Sequence, residues 1–209
     1  MAAEAVRRDD GVALGAMAAW AAGAALGGAY GLWLGLGLTA VLVGATVLVL
    51  QRPALVPLFR VRALDVAAGV ATGLLMVWVT RALFVPVATW LPFVNVDAAT
   101  LYAALGGKPL RVYGLLIIPI ALGEEIVWRG AVQSAVARRF GHAAAVPVAA
   151  ALYALMHAPV GVPSLSLIAM ACGLGWSLLR TLTGGLMAPF LAHLVWDEIM
   201  FFVAPLVAP

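Results

Sequence analysis

Charge is what this sequence has least of. Asp, Glu, Lys and Arg make up only 10% of its 209 residues, against 65% hydrophobic ones. A soluble domain carries roughly 25% charged and about 45–50% apolar residues. No soluble core of this size needs so much apolar surface, so the composition implies a polytopic membrane protein, and the mean hydropathy of +1.10 agrees. Cysteine is the next scarcity. Cys172 stands alone in an apolar run, which excludes an internal disulfide. A basic surface interleaved with aromatics is missing too, so the net charge of +3 does not mark a nucleic-acid binder. There is no G-x-S-x-G, no H-E-x-x-H and no Gly-rich phosphate loop beside a lysine. Serine, zincin and nucleotide chemistries are therefore unsupported.

What the chain does have is long uncharged stretches. No charged residue occurs from Gly11 to Gln51, and one span takes about 20 residues. Glycines near Gly27, Gly28 and Gly31 predict a turn between spans at 12–29 and 32–50. Further spans are predicted at 64–90 (tilted, or broken near Arg81 or Pro86), 110–136, 143–158, 164–180 and 185–205, with an extramembrane loop at 91–109. The expected architecture is an all-α transmembrane bundle of about seven spans, within six to eight. Open sheet edges cannot face lipid, so every span is a helix. One integral membrane domain is expected over 1–209, with the catalytic helices at about 110–205. The N-terminal MAAEAVRRDD carries both signs of charge and reads as a cytoplasmic lead, not a signal peptide. With these spans, Arg7, Arg8, Arg52, Arg60, Arg62, Arg138, Arg139 and Arg180 fall on one side, Lys108 and Arg111 on the other. The positive-inside rule then puts the N-terminus in and the C-terminus out, in a bacterial cytoplasmic membrane.

Against this background the stretch "GEEIVWRG" at 123–130 is anomalous. Ionisable residues at membrane depth are costly and point to function. Here they are Glu124, Glu125, Arg129, His157, His193, Asp197 and Glu198. At about 100° per residue, Glu125 and Arg129 lie about 40° apart on one helix face, an i,i+4 pair, while Glu124 points about 140° away from Arg129. Glu125 is thus the expected partner of Arg129, and Glu124 is left free for chemistry. A buried ion-pair staple would explain the pair but not the third charge. Tyr153 with His157, and His193 with Asp197, repeat the i,i+4 spacing. Pro189 predicts a bend near His193, because it frees the carbonyl of Gly185. Glu198 sits on another face and reads as a bystander at the outer interface.

Depth joins these residues. Glu124 lies roughly 21 Å in from Arg138, His157 roughly 22 Å in from His142, Asp197 roughly 20 Å in from Gly184, and His193 about 14 Å. Independent staples need not agree in depth, so one shared, water-containing pocket is expected. Glu with His can activate a water, and a second His with a polar neighbour can stabilise an oxyanion. Alternatively Glu124, His157 and His193 could hold a catalytic Zn²⁺ with one open position. Either route is hydrolysis, most naturally of a peptide bond in a membrane segment. The competing class is a proton-linked or metal-ion transporter, or a scaffold. Its through-path is opposed by charges confined to the C-terminal half.

Glu124-Glu125-x-x-x-Arg129, Tyr153-x-x-x-His157 and His193-x-x-x-Asp197 resemble the EExxxR, FxxxH and HxxxN/D motifs of the CPBP intramembrane proteases, the CAAX-protease and bacteriocin-processing or Abi family. The resemblance covers about 110–205. It implies that Glu124 and His157 activate water, that His193 and Asp197 form the oxyanion site, and that Glu125 and Arg129 support them. Tyr153 replaces the usual Phe and adds a hydroxyl that could bond His157 or a water. Asp197 stands where CAAX-processing members tend to have Asn. It could donate to an oxyanion only if protonated, or it could orient His193. The resemblance leaves both a metalloprotease and a metal-free glutamate chemistry open, of which the metal-free one is the expectation, and it implies a membrane-anchored protein or peptide as substrate. The branch that fits a pocket near the outer face is the myxosortase-like one, which processes C-terminal sorting tails.

Overall fold

The structure is a computed structural model that describes residues 2–105 and 110–207. Among these residues there is no strand. A backbone without water must satisfy its N–H and C=O groups internally, and helices do so within one segment. Helix α1 spans Ala2–Tyr30, so the charged N-terminal decapeptide forms its first turns and leads directly into the first span. Gly31, at φ 112°, ends it. That conformation is open to glycine and strained for other residues. A π-helical turn, Trp33–Gly37, then leads into α2, Leu38–Leu50. A short α3, Arg52–Leu55, and a 3₁₀ turn, Val56–Phe59, carry the chain to α4, Ala63–Trp90. Helix α5 is Phe93–Leu105 and α6 is Leu110–Glu125. A π-helical segment, Ile126–Val132, joins α6 to α7, Gln133–His157. Helix α8 is Pro163–Thr183 and α9 is Met187–Asp197, followed by a third π-helical segment, Glu198–Val203.

The all-α membrane bundle stands, with a different count. Four helical stretches are long and apolar enough to cross a membrane: Val6–Tyr30, Ala63–Trp90, Gly114–Val160 and Pro163–Thr183. A fifth is reached only if the bent pair Gly35–Leu50 and Arg52–Phe59 is one broken span. The expected seven differ for two reasons. The fourth and fifth segments fall in one 47-residue stretch by length, but Gly141, at φ 81° and ψ 164°, breaks it between them and lets Tyr153 fold back onto Glu124, so they remain two helices. The seventh, α9 with its π turn, is not among the spans of sufficient length.

Three further expectations are corrected. The 91–109 loop is mostly helix α5. Its Asp97 accepts a hydrogen bond from the Ser164 backbone N–H at the start of α8, 2.8 Å, and its Tyr102 hydroxyl donates to the Met200 carbonyl, 2.8 Å. Polar residues that resembled a loop are therefore side-chain ties between helices. Helix α4 stays helical through Arg81 and Pro86. Pro189 lies in the first turn of α9, whose backbone N–H groups lack helical partners in any case. It therefore breaks no helical hydrogen bond.

Small residues let the helices meet at backbone distance. A Cβ on Gly44 of α2 would lie 2.5 Å from the Gly123 Cα of α6, and a Cβ on Gly123 would lie 2.1 Å from the Ala40 carbonyl oxygen. Gly69 and Gly73 of α4 likewise press on α9, against Ala188 and Val195. The two crossings seat the helices that carry Glu124 and His193. At one end of the bundle the basic segments converge. Asp10 pairs with Arg138 at 2.7 Å and Arg139 at 2.8 Å, Gln51 reaches the Asp9 carbonyl at 2.8 Å, and Arg62 reaches the Thr183 carbonyl at 2.7 Å. Lys108, counted for the opposite side, lies outside the described residues, as does the side chain of Arg111.

Candidate active site

Gly123 holds α6 tight against α2, and the next two residues point into different surroundings. Glu124 borders a cavity of about 410 Å³. Glu125 is fully buried beside it. The chain then leaves α-helical register, since Ile126–Val132 is π-helical. Such single-turn widenings inside helices are rare and occur frequently at functional sites. Within this one, Arg129 still reaches back to Glu125, with Nη1 3.3 Å from Oε1, and both side chains are shut off from solvent. Arg129 Nη2 also lies 3.4 Å from the Gly173 carbonyl. Its guanidinium sits over the rings of Tyr153 and Trp176, at 4.7 and 5.1 Å.

Glu124, Tyr153, His157, His193 and Asp197 all line the one cavity. Glu124 is not the unpartnered carboxylate that helical phase suggests. The Tyr153 hydroxyl donates a short hydrogen bond to its Oε2. The added hydroxyl therefore serves Glu124, and not His157. His157 Nδ1 donates to the carbonyl of Tyr153 at 2.7 Å. A carbonyl only accepts, so the proton sits on Nδ1 and Nε2 is left as an acceptor when the ring is neutral. His193 Nδ1 donates to Glu125 Oε1 at 2.8 Å. Its Nε2 then faces Asp197 Oδ2 at 3.4 Å and Glu124 Oε2 at 4.0 Å. A lone pair and two carboxylates cannot share that space comfortably, so a proton belongs on Nε2 or on the Asp197 carboxyl. Trp176 stacks on the His193 imidazole, centroids 3.7 Å apart and planes within 18°.

Two contacts escaped the sequence. Glu125 supports His193 as well as Arg129, and Trp176 plates the imidazole. Both join helices far apart in the chain, and no spacing rule within one helix reveals them. Glu198 is not among the cavity's residues. It packs at Gly114, where a Cβ would lie 3.1 Å from its Oε2. Glu124, His157 and His193 are the donor types a catalytic zinc takes, but their placement differs from a ligand set. Among the described residues no three His, Cys, Asp or Glu side chains are placed to hold a metal ion, and the proposed ligand Glu124 already accepts from Tyr153.

Helical bundle and buried acid–imidazole cavity together define an integral membrane protein with a polar site enclosed among apolar helices. Residues 106–199 match the family model described as type II CAAX prenyl endopeptidase Rce1-like. That stretch, which holds α6 to α9 and all the site residues, is therefore similar to the type II CAAX prenyl endopeptidases of that family. No curated protein and no solved structure matches the chain.

Proposed function

We propose that the chain is an intramembrane endopeptidase that hydrolyses a peptide bond of a membrane-anchored substrate with a water held by Glu124 and His157. The observation that carries this reading is the convergence of Glu124, Tyr153, His157, His193 and Asp197, from three different stretches of sequence, on one cavity. Tyr153 fixes one Glu124 oxygen and leaves the other to take a proton from water. His157 Nε2 accepts the water's second hydrogen and aims its oxygen. The hydroxide adds to the scissile carbonyl, and the charge that develops on the carbonyl oxygen is met by the proton shared between His193 and Asp197. Collapse of the tetrahedral species breaks the C–N bond, and the leaving amine takes the proton from Glu124. Every proton is accounted for without a metal.

The cavity wall suits an apolar substrate segment. Apart from the site residues it is mainly Leu, Val, Ile and Phe, and Leu83, Val87 and Leu167 among them are also exposed on the outside of the bundle. These residues of α4 and α8 are taken as the side entrance for a membrane-embedded tail. With the arginine-rich end in the cytoplasm, the site faces the outer leaflet, and the substrate is the C-terminal membrane tail of an exported protein.

The test compares the membrane proteomes of cells expressing wild type and Glu124→Ala. Unprocessed C-terminal tails should accumulate only with the variant, and a metal chelator should leave wild-type processing unchanged. Identical proteomes would sink the protease reading. An accessibility map that reaches Glu124 only from the cytoplasm would sink the outer-face version.

A further inference from the structure

A second cavity, of about 440 Å³, lies at the arginine-rich end, between α7 and α8. Its wall includes Arg129, Gln133, Arg138, His142, Arg180 and Thr181, and no Asp or Glu among the described residues. Arg138 and His142 are exposed, so the space reaches the surface.

The partners of these groups do not balance. Arg129 has Glu125, and Arg138 has Asp10, which also serves Arg139. Gln133 Nε2 is taken by the Ser177 carbonyl and Thr181 Oγ1. Arg180 has none: its Nε is buried without a hydrogen-bond partner among the described residues. A second cation stands nearby, since Arg60 Nη2 would lie 3.1 Å from a Cβ on Gly184, which lines the same cavity. A half-buried guanidinium whose Nε is shut off from solvent without a partner is costly. Here the protein brings further cations toward it and no acid. Guanidinium groups pair with phosphate oxygens through parallel N–H bonds, and basic pockets between transmembrane helices bind anionic headgroups.

We propose that this cavity is an anion site, in which a phosphate group is held by Arg180 with Arg138 and His142 at the mouth. The phosphate belongs to an anionic lipid headgroup or arrives as free phosphate. The site lies on the far side of Arg129 from the acid cavity and needs no hydrolytic activity, so its failure and that of the protease reading are separable.

The experiment uses the full chain purified in detergent, with phosphatidylglycerol or phosphatidylcholine added. Lipid retention is read by native mass spectrometry and the unfolding temperature by a thermal scan. Wild type should retain phosphatidylglycerol over phosphatidylcholine. Arg180→Met and Ala137→Glu, the latter placing a carboxylate in the cavity wall, should each weaken retention about tenfold, the worth of a charge-assisted hydrogen bond. Arg180→Lys should keep most of it. If inorganic phosphate displaces the lipid, or raises the unfolding temperature with the same dependence on these variants, the source is free phosphate and the site stands. Retention equal for both lipids and no stabilisation by phosphate would overturn it. So would phosphatidylglycerol retention unchanged in Ala137→Glu, a variant that keeps every arginine.

Discussion

The two cavities are of similar volume and opposite charge. Among the described residues one is lined by Glu124, Asp197, His157 and His193 and by no arginine or lysine, and the other by Arg129, Arg138, Arg180 and His142 and by no acid. Between them stands the buried Glu125–Arg129 pair. Glu124 and Glu125 are neighbours in sequence, yet one serves the acid cavity and the other the partition. The difference teaches what the partition does. A cation admitted beside Glu124 would hold it as a spent carboxylate. Arg129 is instead taken by Glu125 and covered by Tyr153 and Trp176. The acid side stays free to move protons, and the cationic side stays free to hold an anion.

Removing the partition is the change with the largest expected effect. Arg129→Met leaves the Glu125 charge buried with His193 as its one remaining hydrogen-bond partner among the described residues, and losing one member of a buried pair costs about 3–5 kcal/mol. The unfolding temperature in detergent should fall steeply. The double variant Glu125→Gln with Arg129→Met should recover part of the loss, because no unpaired charge remains. A double variant as unstable as the single one would mean that packing, and not charge, makes Arg129 matter.

A smaller effect, about 1–3 kcal/mol, is expected from overpacking at Gly123→Ala. The new methyl would meet the Ala40 carbonyl and force α2 off α6. No charge changes, so this variant separates the position of Glu124 from its chemistry. Processing should drop while the protein still inserts and the cationic cavity still retains phosphatidylglycerol. Equal loss on both sides would show that the two cavities are not mechanically independent.

Much of this could be read beforehand from local rules. Gly31, Gly161 and Gly184 end helices at positive φ, close to the turns that composition marked. The pairs Glu125–Arg129 and His193–Asp197 follow from i,i+4 spacing alone. What stayed hidden depends on how helices cross. Tyr153 on Glu124 and Glu125 on His193 link separate helices. The π-helical turns after Glu125 and Asp197 carry no signature in residue type, because packing sets them. Helix α5 was obscured because Asp97 and Asn95 look like loop residues until Ser164 of α8 is seen to need an acceptor.

The finest test of the acid cavity is Tyr153→Phe. Its hydroxyl is the one hydrogen-bond donor on Glu124 among the described residues. Loss of a single charge-assisted hydrogen bond is worth about tenfold. The ring itself should stay, since it packs edge-on to Trp128 at 5.2 Å and His157 at 4.4 Å, and phenylalanine keeps those contacts. The substrate revealed by the Glu124→Ala comparison should therefore be cleaved about tenfold more slowly by the variant, with unfolding temperature nearly unchanged. Freed from the phenol, Glu124 would also turn more readily toward His193, whose Nε2 is already 4.0 Å away. The pH profile of cleavage should then shift along with the rate, which a purely structural tyrosine would not cause. A loss as complete as that of Glu124→Ala would make the hydroxyl itself a proton carrier, and the division of labour between Glu124 and His157 would have to be redrawn.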